Sequence, residues 1–241
     1  MKITAARLAY LDACASGIED FESLFPVGLD VTDWDLARQM GMVLHPVMRE
    51  YWSWAVDVRL IPSLSMSGLD LCGADLSCAG LRDADFRRAE LRRADLSDAR
   101  LFGADLRDAD LRFAALGGAE LRGAQLRDAD LRFAALREAD LRGADLRGAN
   151  LLGADLRDAD LRDAKLLGAD LGRADLRRAD LRFAALRGAS LRGAELRDAD
   201  LRSADLGRAD LRFAALRGAD LRDTKFDNEQ TIALKDREAE S

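Results

Sequence analysis

Apolar side chains recur at every fifth position over most of this chain. Residues 69–226 contain 32 such central positions, of which 30 are Leu and the exceptions are Phe86 and Phe226. The residue two places before the centre is Ala in 30 of the 32 units, the residue directly before it is Asp or Glu in 21, and the residue after it is Arg in 22. The unit is therefore Ala-Asp-Leu-Arg-x, a short repeat of the kind that is typical of solenoids.

A period of five fits neither regular element alone. On a helix the Leu residues would circle the axis and leave no apolar stripe. On a straight strand an odd period would place successive Leu residues on opposite faces. Ala and Leu lie two apart within a unit, as on one face of a strand, so the chain must turn once per unit to keep every Leu inside. The fifth position is mostly Gly, Asp or Arg, which suits an exposed corner.

The units Ala139–Gly143 and Ala144–Gly148 both read Ala-Asp-Leu-Arg-Gly, and this pattern resembles the pentapeptide-repeat family. The resemblance implies a mainly β fold, a right-handed quadrilateral β-helix with four units per coil. Thirty-two units then form about eight coils, a rod roughly 38 Å long at about 4.8 Å per coil. Phe86 and Phe226 lie near the two ends of the array, where we expect the packing of the narrow core to be less restrictive.

The flanks of the array have a different composition. Residues 1–65 lack the period of five and contain all three Trp and both Tyr residues. We predict a small α-helical N-terminal capping domain here, with helices over residues 3–15 and 18–25 and further helices after Thr32 and from Pro46. A solenoid end exposes core and unpaired strand edge, so a cap is required. The predicted domains are thus 1–65, the β-helix over 66–226, and a short cap with an acidic tail over 227–241.

The charge is distributed unevenly along the 241 residues. The net charge is −7, yet residues 69–226 are neutral, with 28 Arg and 2 Lys against 26 Asp and 4 Glu. This balance disfavours direct binding of nucleic acid. We find no apolar run of membrane-spanning length and expect no membrane association. Three Cys residues without a paired spacing favour a cytoplasmic, reducing environment.

Few residues suggest catalysis or metal binding. The one histidine, His45, has no nucleophile or acid motif around it, so a structural place in a turn is favoured. Cys72 and Cys78 are expected at outward positions of the first coil as free thiols. The Asp columns lack the glycine-rich signature of calcium-binding repeats and face Arg columns. We therefore predict no enzyme, no cofactor and no metal. Three aromatic residues near the array form either a recognition patch or, as we favour, structural contacts, with at least one residue in the core and another packed on the first coil: Tyr51, Trp52 and Trp54.

One irregularity suggests a contact surface. The segment Leu-Arg-Phe-Ala-Ala-Leu occurs at 111–116, 131–136, 181–186 and 211–216, each time with Phe at an outward corner. With 20 residues per coil three of these Phe residues share one corner column, Phe183 lies on the opposite side, and Leu152 follows next to the column. The candidate partner surface is Phe113, Phe133, Leu152 and Phe213. Segmental duplication is the alternative, because residues 173–188 and 203–218 are near copies.

We interpret the chain as a non-enzymatic protein–protein interaction module with an unidentified protein partner, either monomeric or dimeric. The family resemblance implies an alternative: some bacterial members mimic DNA and bind a type II topoisomerase (DNA gyrase), protecting it from quinolones or other poisons. The overall acidity agrees with this role, whereas the neutral array and its lack of inserted loops argue against it. An enzyme with its site in residues 1–65 ranks last.

Overall fold

A computed structural model describes residues 2–3, 29–30 and 65–227 of the protein. Over residues 65–227 every fifth residue forms a parallel β-bridge with the residue 20 positions later, from Ser65–Asp85 to Asp205–Lys225. Each coil therefore holds 20 residues, or four units, and eight coils separate residue 65 from residue 225. The four-unit coil that the resemblance implied is confirmed.

A tight turn closes each unit. For example, the N–H of Ala74 donates to the carbonyl of Leu71 at 3.1 Å. The third residue of every turn has a positive φ, between 53° and 75°, at 32 consecutive corners from residue 68 to residue 223. This is the signature of a type II turn. Glycine occupies 12 of these corners and other residues occupy 20. The turn at each corner is what allows an odd period to keep every Leu inside.

The backbone amides of the unit that starts at Asp110 are all used. The amides of Leu111 and Phe113 donate to carbonyls of the following coil at 2.7 and 3.1 Å, and that of Asp110 donates to the preceding coil at 3.0 Å. The amide of Ala114 closes the turn. The remaining amide, that of Arg112, donates to the Asp110 Oδ1 at 3.2 Å. The recurrent Asp thus satisfies the amide that the coil-to-coil bonds leave over, as in an Asx turn.

Central Leu and Ala side chains fill the interior. Nearly all of them are fully buried from Leu76 to Leu206. Phe86 is fully buried although it lies near one end, while Phe226 at the other end is partly buried against the core. Asp145 is a buried charged residue, 4% exposed. Hydrogen bonds from Arg147 compensate its burial and hold the pKa of its carboxyl below the usual range.

The described part of the N-terminal segment is one short antiparallel pair. Strand β1 (Lys2–Ile3) pairs with β2 (Leu29–Asp30), with Lys2 opposite Asp30. The helix predicted from residue 3 is wrong at its first residue, because the backbone of Ile3 pairs with Leu29. The other predicted helices, and the C-terminal cap beyond residue 227, lie outside the described residues. Within the described residues no helix has the length and apolar character needed to cross a membrane.

Candidate interaction surface

The side chain of the positive-φ residue in each turn extends along the axis of the rod and lies over the corresponding turn of the next coil. A Cβ added at Gly103 would sit 2.3 Å from the Asp83 Oδ1, and one added at Gly118 would sit 2.2 Å from the Asp98 Oδ1. In both cases the side chain 20 residues earlier already occupies that place. The residues at equivalent turn positions in successive coils therefore form a column, in which each side chain either covers the residue of the next coil or leaves a gap. A side chain such as Asp83 or Asp98 that precedes a glycine in its column lies over that glycine.

The predicted Phe column contains one true aromatic stack. The rings of Phe113 and Phe133 are parallel within 13°, with centroids 5.3 Å apart. The Phe133 ring in turn covers Gly153, where a Cβ would lie 2.7 Å from the ring Cε1. The two Phe side chains remain 55% and 53% exposed. Stacked aromatic faces of this kind that remain half exposed offer a preformed apolar surface.

Leu152 and Phe213 extend the column without joining the stack. The half-buried Leu152 side chain lies over Gly172, with its Cδ1 3.1 Å from where a Cβ would be. Phe213 lies four coils beyond Phe133, is 72% exposed, and has the Arg192 guanidinium 5.6 Å from its ring centroid. The structure therefore brings two of the four predicted residues into contact and spreads the other two along the same corner.

We call this edge the phenylalanine corner. It comprises two neighbouring columns, residues 72 to 212 and residues 73 to 213, each at steps of 20. No Asp or Glu stands in either column, and each of the other three corners contains carboxylates, such as Asp83, Asp98 and Asp108. Seven arginines stand in the phenylalanine corner: Arg92, Arg93, Arg112, Arg132, Arg173, Arg192 and Arg212.

Some of these arginines are neutralised by the adjacent carboxylate column. Arg112 pairs with Asp110 of its own coil at 2.6 Å and reaches Asp130 of the next coil at 3.6 Å. Arg132 pairs with Asp130 at 2.6 Å. The hydrogen bond from Arg112 lowers the pKa of the Asp110 carboxyl, so this pair is charged at neutral pH. The acids beside the phenylalanine stack are thus occupied, and Ala115 and Ala135 stand on its other side.

One shallow groove lies at each end of the Phe113–Phe133 stack. The N-terminal groove is lined by Cys72, Gly73, Arg92, Arg93, Arg112 and Phe113. The C-terminal groove is lined by Leu152, Asp170, Gly172, Arg173, Ser190, Arg192, Gly193 and Phe213. Both grooves exist because glycines in the corner leave the gaps that larger side chains fill elsewhere. Each combines an aromatic ring with guanidinium groups.

Exposed apolar side chains also occur elsewhere. Phe183, on the opposite corner, is 60% exposed, and it provides the natural comparison for the stack. Sequence reasoning missed Phe102, which is 37% exposed with the Arg82 guanidinium 4.6 Å from its ring centroid, and Leu167, which is 49% exposed. Both replace the Arg that follows a central Leu, the same signal that marked Leu152. Phe102 shares its corner with Phe183 but lies four coils away from it, and Leu167 lies on a different corner, so neither forms a second stack.

The remaining candidate residues from the sequence are two cysteines, one histidine and three aromatic residues. Cys72 and Cys78 are free and exposed, as predicted. Ligand atoms of Asp70, Cys72 and Glu90 lie within 4.8 Å of one another, but the Arg92 guanidinium bonds the Cys72 Sγ at 3.4 Å and Glu90 at 2.9 Å. Two of these three side chains are therefore already bonded to a cationic group. The remaining sequence candidates lie outside the described residues: His45, Tyr51, Trp52 and Trp54.

A four-unit coil with Leu and Ala inside defines the class of protein, a pentapeptide-repeat β-helix. The family model "Pentapeptide repeats" matches eight copies, over residues 65–103, 104–143, 124–163, 139–178, 154–193 and 194–228. The chain therefore belongs to the pentapeptide repeat family, as the resemblance indicated. Proteins of this family form right-handed quadrilateral β-helices.

Three solved structures illustrate the relationship. HetL, a pentapeptide repeat protein involved in heterocyst differentiation regulation in the cyanobacterium Nostoc sp. strain PCC 7120, is 37% identical; the match covers 69% of this chain and 88% of HetL, with a TM-score of 0.31. QnrB1, a plasmid-mediated fluoroquinolone resistance protein, is 22% identical over 74% of this chain and 98% of its own, with a TM-score of 0.44. A pentapeptide repeat protein of the Arabidopsis thaliana thylakoid lumen is 34% identical over 47% of this chain and 75% of its own, with a TM-score of 0.35. A comparison with curated proteins gives no match.

Proposed function

We propose that this protein is a non-enzymatic binding module that holds a protein partner against the phenylalanine corner. The observation that carries the proposal is the Phe113–Phe133 stack, in which both rings are more than half exposed on an otherwise charged rod. Contiguous apolar surface on a soluble protein commonly marks an interaction site. Aromatic residues of this kind are frequent hot spots of protein interfaces.

The scaffold makes this surface rigid. The amides of Phe113 and Phe133 both donate to carbonyls of the next coil at 3.1 Å, so the backbone at each Phe is tied to the following coil. The ring of Phe133 is further held over Gly153. A partner that docks here orders little of this protein, and the entropic cost of binding is correspondingly small.

The DNA-mimic alternative has less support. A mimic of the duplex should be acidic along the rod, whereas residues 69–226 carry 30 basic and 30 acidic residues. Many carboxylates of the bridge columns are ion-paired to arginines, as in Asp140–Arg142 and Asp160–Arg162, rather than presented alone. Binding to DNA gyrase remains a prediction from the family resemblance.

The test is a comparison of three forms of the full chain in a pull-down from the host lysate. Arg is native at Arg93 and Arg173 of the same column, so Phe113→Arg with Phe133→Arg should fold normally. We expect a protein that the wild type retains to be lost by this double variant, since buried aromatic anchors each contribute roughly 2 kcal/mol or more.

Phe183→Arg is the matched control, because it makes the same change at an equally exposed corner on the opposite side. Equal retention of every captured protein by all three forms would refute the proposal and favour segmental duplication as the origin of the Phe residues. Equal loss in the control and the double variant would show that the phenylalanine corner is not the site.

A further inference from the structure

Three arginines of the phenylalanine corner have no ion pair within the described part of the chain: Arg93, Arg173 and Arg192. They differ from Arg112 and Arg132, which are paired with the carboxylate column beside them. Arg93 lines the N-terminal groove, and the other two line the C-terminal groove. Asp170, the carboxylate in the lining of the C-terminal groove, accepts a hydrogen bond from the amide of Gly172 at 2.9 Å instead of a guanidinium. The N-terminal groove therefore offers one guanidinium without an ion pair, and the C-terminal groove offers two against the single carboxylate of Asp170.

The spacing of these charges follows from the coil register. Arg93 and Arg173 occupy the same column four coils apart, which is about 19 Å at about 4.8 Å per coil. An extended peptide rises about 3.3 Å per residue, so this distance corresponds to about six residues. The exposed rings of Phe113 and Phe133 lie between the two charges. The order along the corner is thus cation, apolar stack, cation.

We propose that the partner occupies the phenylalanine corner with an extended acidic segment, in which two Asp or Glu residues about six positions apart flank an apolar side chain. This inference rests on the proposed function and adds the chemistry of the partner to it. One acidic residue meets Arg93 in the N-terminal groove, the apolar side chain lies on the stacked rings, and the other acidic residue enters the C-terminal groove between Arg173 and Arg192. Complementary charges at the ends fix the register of the segment.

The surroundings favour this occupant over other anions. The bridge columns that flank the corner carry carboxylates without an ion pair in the described residues, Asp170 on one side and Asp95 on the other, so a continuous polyanion such as a nucleic acid would meet like charge beyond the corner. A segment with charges confined to two points avoids them. A basic segment would meet the unpaired guanidinium groups.

The experiment selects peptides of about twelve residues from a random phage-displayed library against the immobilised full chain, long enough to span both grooves. We expect enriched peptides to contain two acidic residues five to seven positions apart with an aromatic or aliphatic residue between them. An enriched peptide, labelled with fluorescein, is then titrated by fluorescence anisotropy. Its affinity should fall when NaCl is raised from about 50 mM to about 500 mM, because exposed charges are screened.

Two triple variants separate the grooves from general electrostatics. Arg93→Gln, Arg173→Gln and Arg192→Gln should weaken binding of the labelled peptide by about tenfold or more. The control removes three arginines of another corner that likewise have no ion pair within the described residues: Arg88→Gln, Arg187→Gln and Arg208→Gln. Both triple variants lower the net charge equally, and the control should bind as the wild type does. Circular dichroism and thermal melting of all forms confirm that they are folded.

Several results would overturn the inference. These are enriched peptides without an acidic pair, no enrichment at all, or equal weakening by the two triple variants. The protein could also bind single-stranded DNA more tightly than the peptide and lose this DNA binding in the first triple variant. That result would identify a nucleic acid as the occupant instead. A dimer that the first triple variant dissociates in analytical ultracentrifugation would identify a second copy. If any of these occurs while Phe113→Arg with Phe133→Arg still abolishes capture of the protein partner, the proposed function stands and only the acidic chemistry fails.

Discussion

Replacing Gly153 by Ala tests whether the phenylalanine stack rests on the corner beneath it. The added Cβ would lie 2.7 Å from the Cε1 and 2.8 Å from the Cδ1 of Phe133, well inside the optimal carbon–carbon separation of about 3.5–4.0 Å. The backbone at residue 153 is tied to the next coil by the hydrogen bond from its amide to the Gly172 carbonyl at 2.9 Å. The ring must therefore move, and the 5.3 Å stack on Phe113 opens.

Two contributions set the expected loss of stability. The φ of Gly153 is +67°, which costs a non-glycine residue about 1 kcal/mol. Loss of a stacked aromatic pair adds about 0.5–1.5 kcal/mol. Gly143→Ala is the matched control, because the φ of Gly143 is +63° and no atom lies within 4 Å of the added Cβ. We expect the free energy of unfolding to fall by about 1 kcal/mol in the control and by about 1.5–2.5 kcal/mol in Gly153→Ala.

Urea denaturation of both variants measures these differences, and proton NMR of the Phe rings reports the stack through ring-current shifts. In Gly153→Ala the aromatic signals of Phe113 and Phe133 should move, and in Gly143→Ala they should remain in place. The reasoning is refuted if both variants lose the same stability and the ring signals of Gly153→Ala match those of the wild type.

Three further predictions concern the core, the charges and the family role. Leu146→Ala should lower the free energy of unfolding by about 2–5 kcal/mol in urea denaturation, since the side chain is fully buried and leaves a cavity. A loss below about 1 kcal/mol, as is usual at exposed positions, would contradict the placement of Leu146 in the core. Hydrogen bonds from Arg212 and Arg222 lower the pKa of Asp210 and Asp220 to about 2 from 3.8, so the stability they provide is complete above about pH 4 and lost as pH falls toward 2. Thermal melts across this range should show the decline, and Arg212→Gln with Arg222→Gln should reduce it. Finally, if the DNA-mimic alternative holds, saturating protein should change supercoiling by DNA gyrase or the poisoning of gyrase by a quinolone. If the protein changes neither, that alternative is wrong.

Much of the candidate interaction surface could be predicted from the repeat pattern, because a residue that departs from the consensus is identified by its position in the unit. Phe113 and Phe133 stand where charged or small residues are usual, and both are exposed as expected. Phe102 and Leu167 deviate in the same way, but they lie away from the Phe column on which the predicted surface was based. The reason for the frequent Asp was also missed, since its hydrogen bond to the amide two residues later appears only once the turn geometry is known.

The sequence by itself determined that the chain turns every five residues, that Leu and Ala lie inside, and that the array is neutral. It did not determine how many units close a coil, because units of five residues with one turn each could form coils with different numbers of sides. The number of four units per coil came from the family resemblance. The tertiary structure decided it through the 20-residue register of the β-bridges. That register places Phe113 on Phe133 and gathers seven arginines into one corner without a carboxylate. Side chains 20 residues apart meet only because the coil closes after four turns, so the chemistry of each corner is a property of the closed coil and not of the unit.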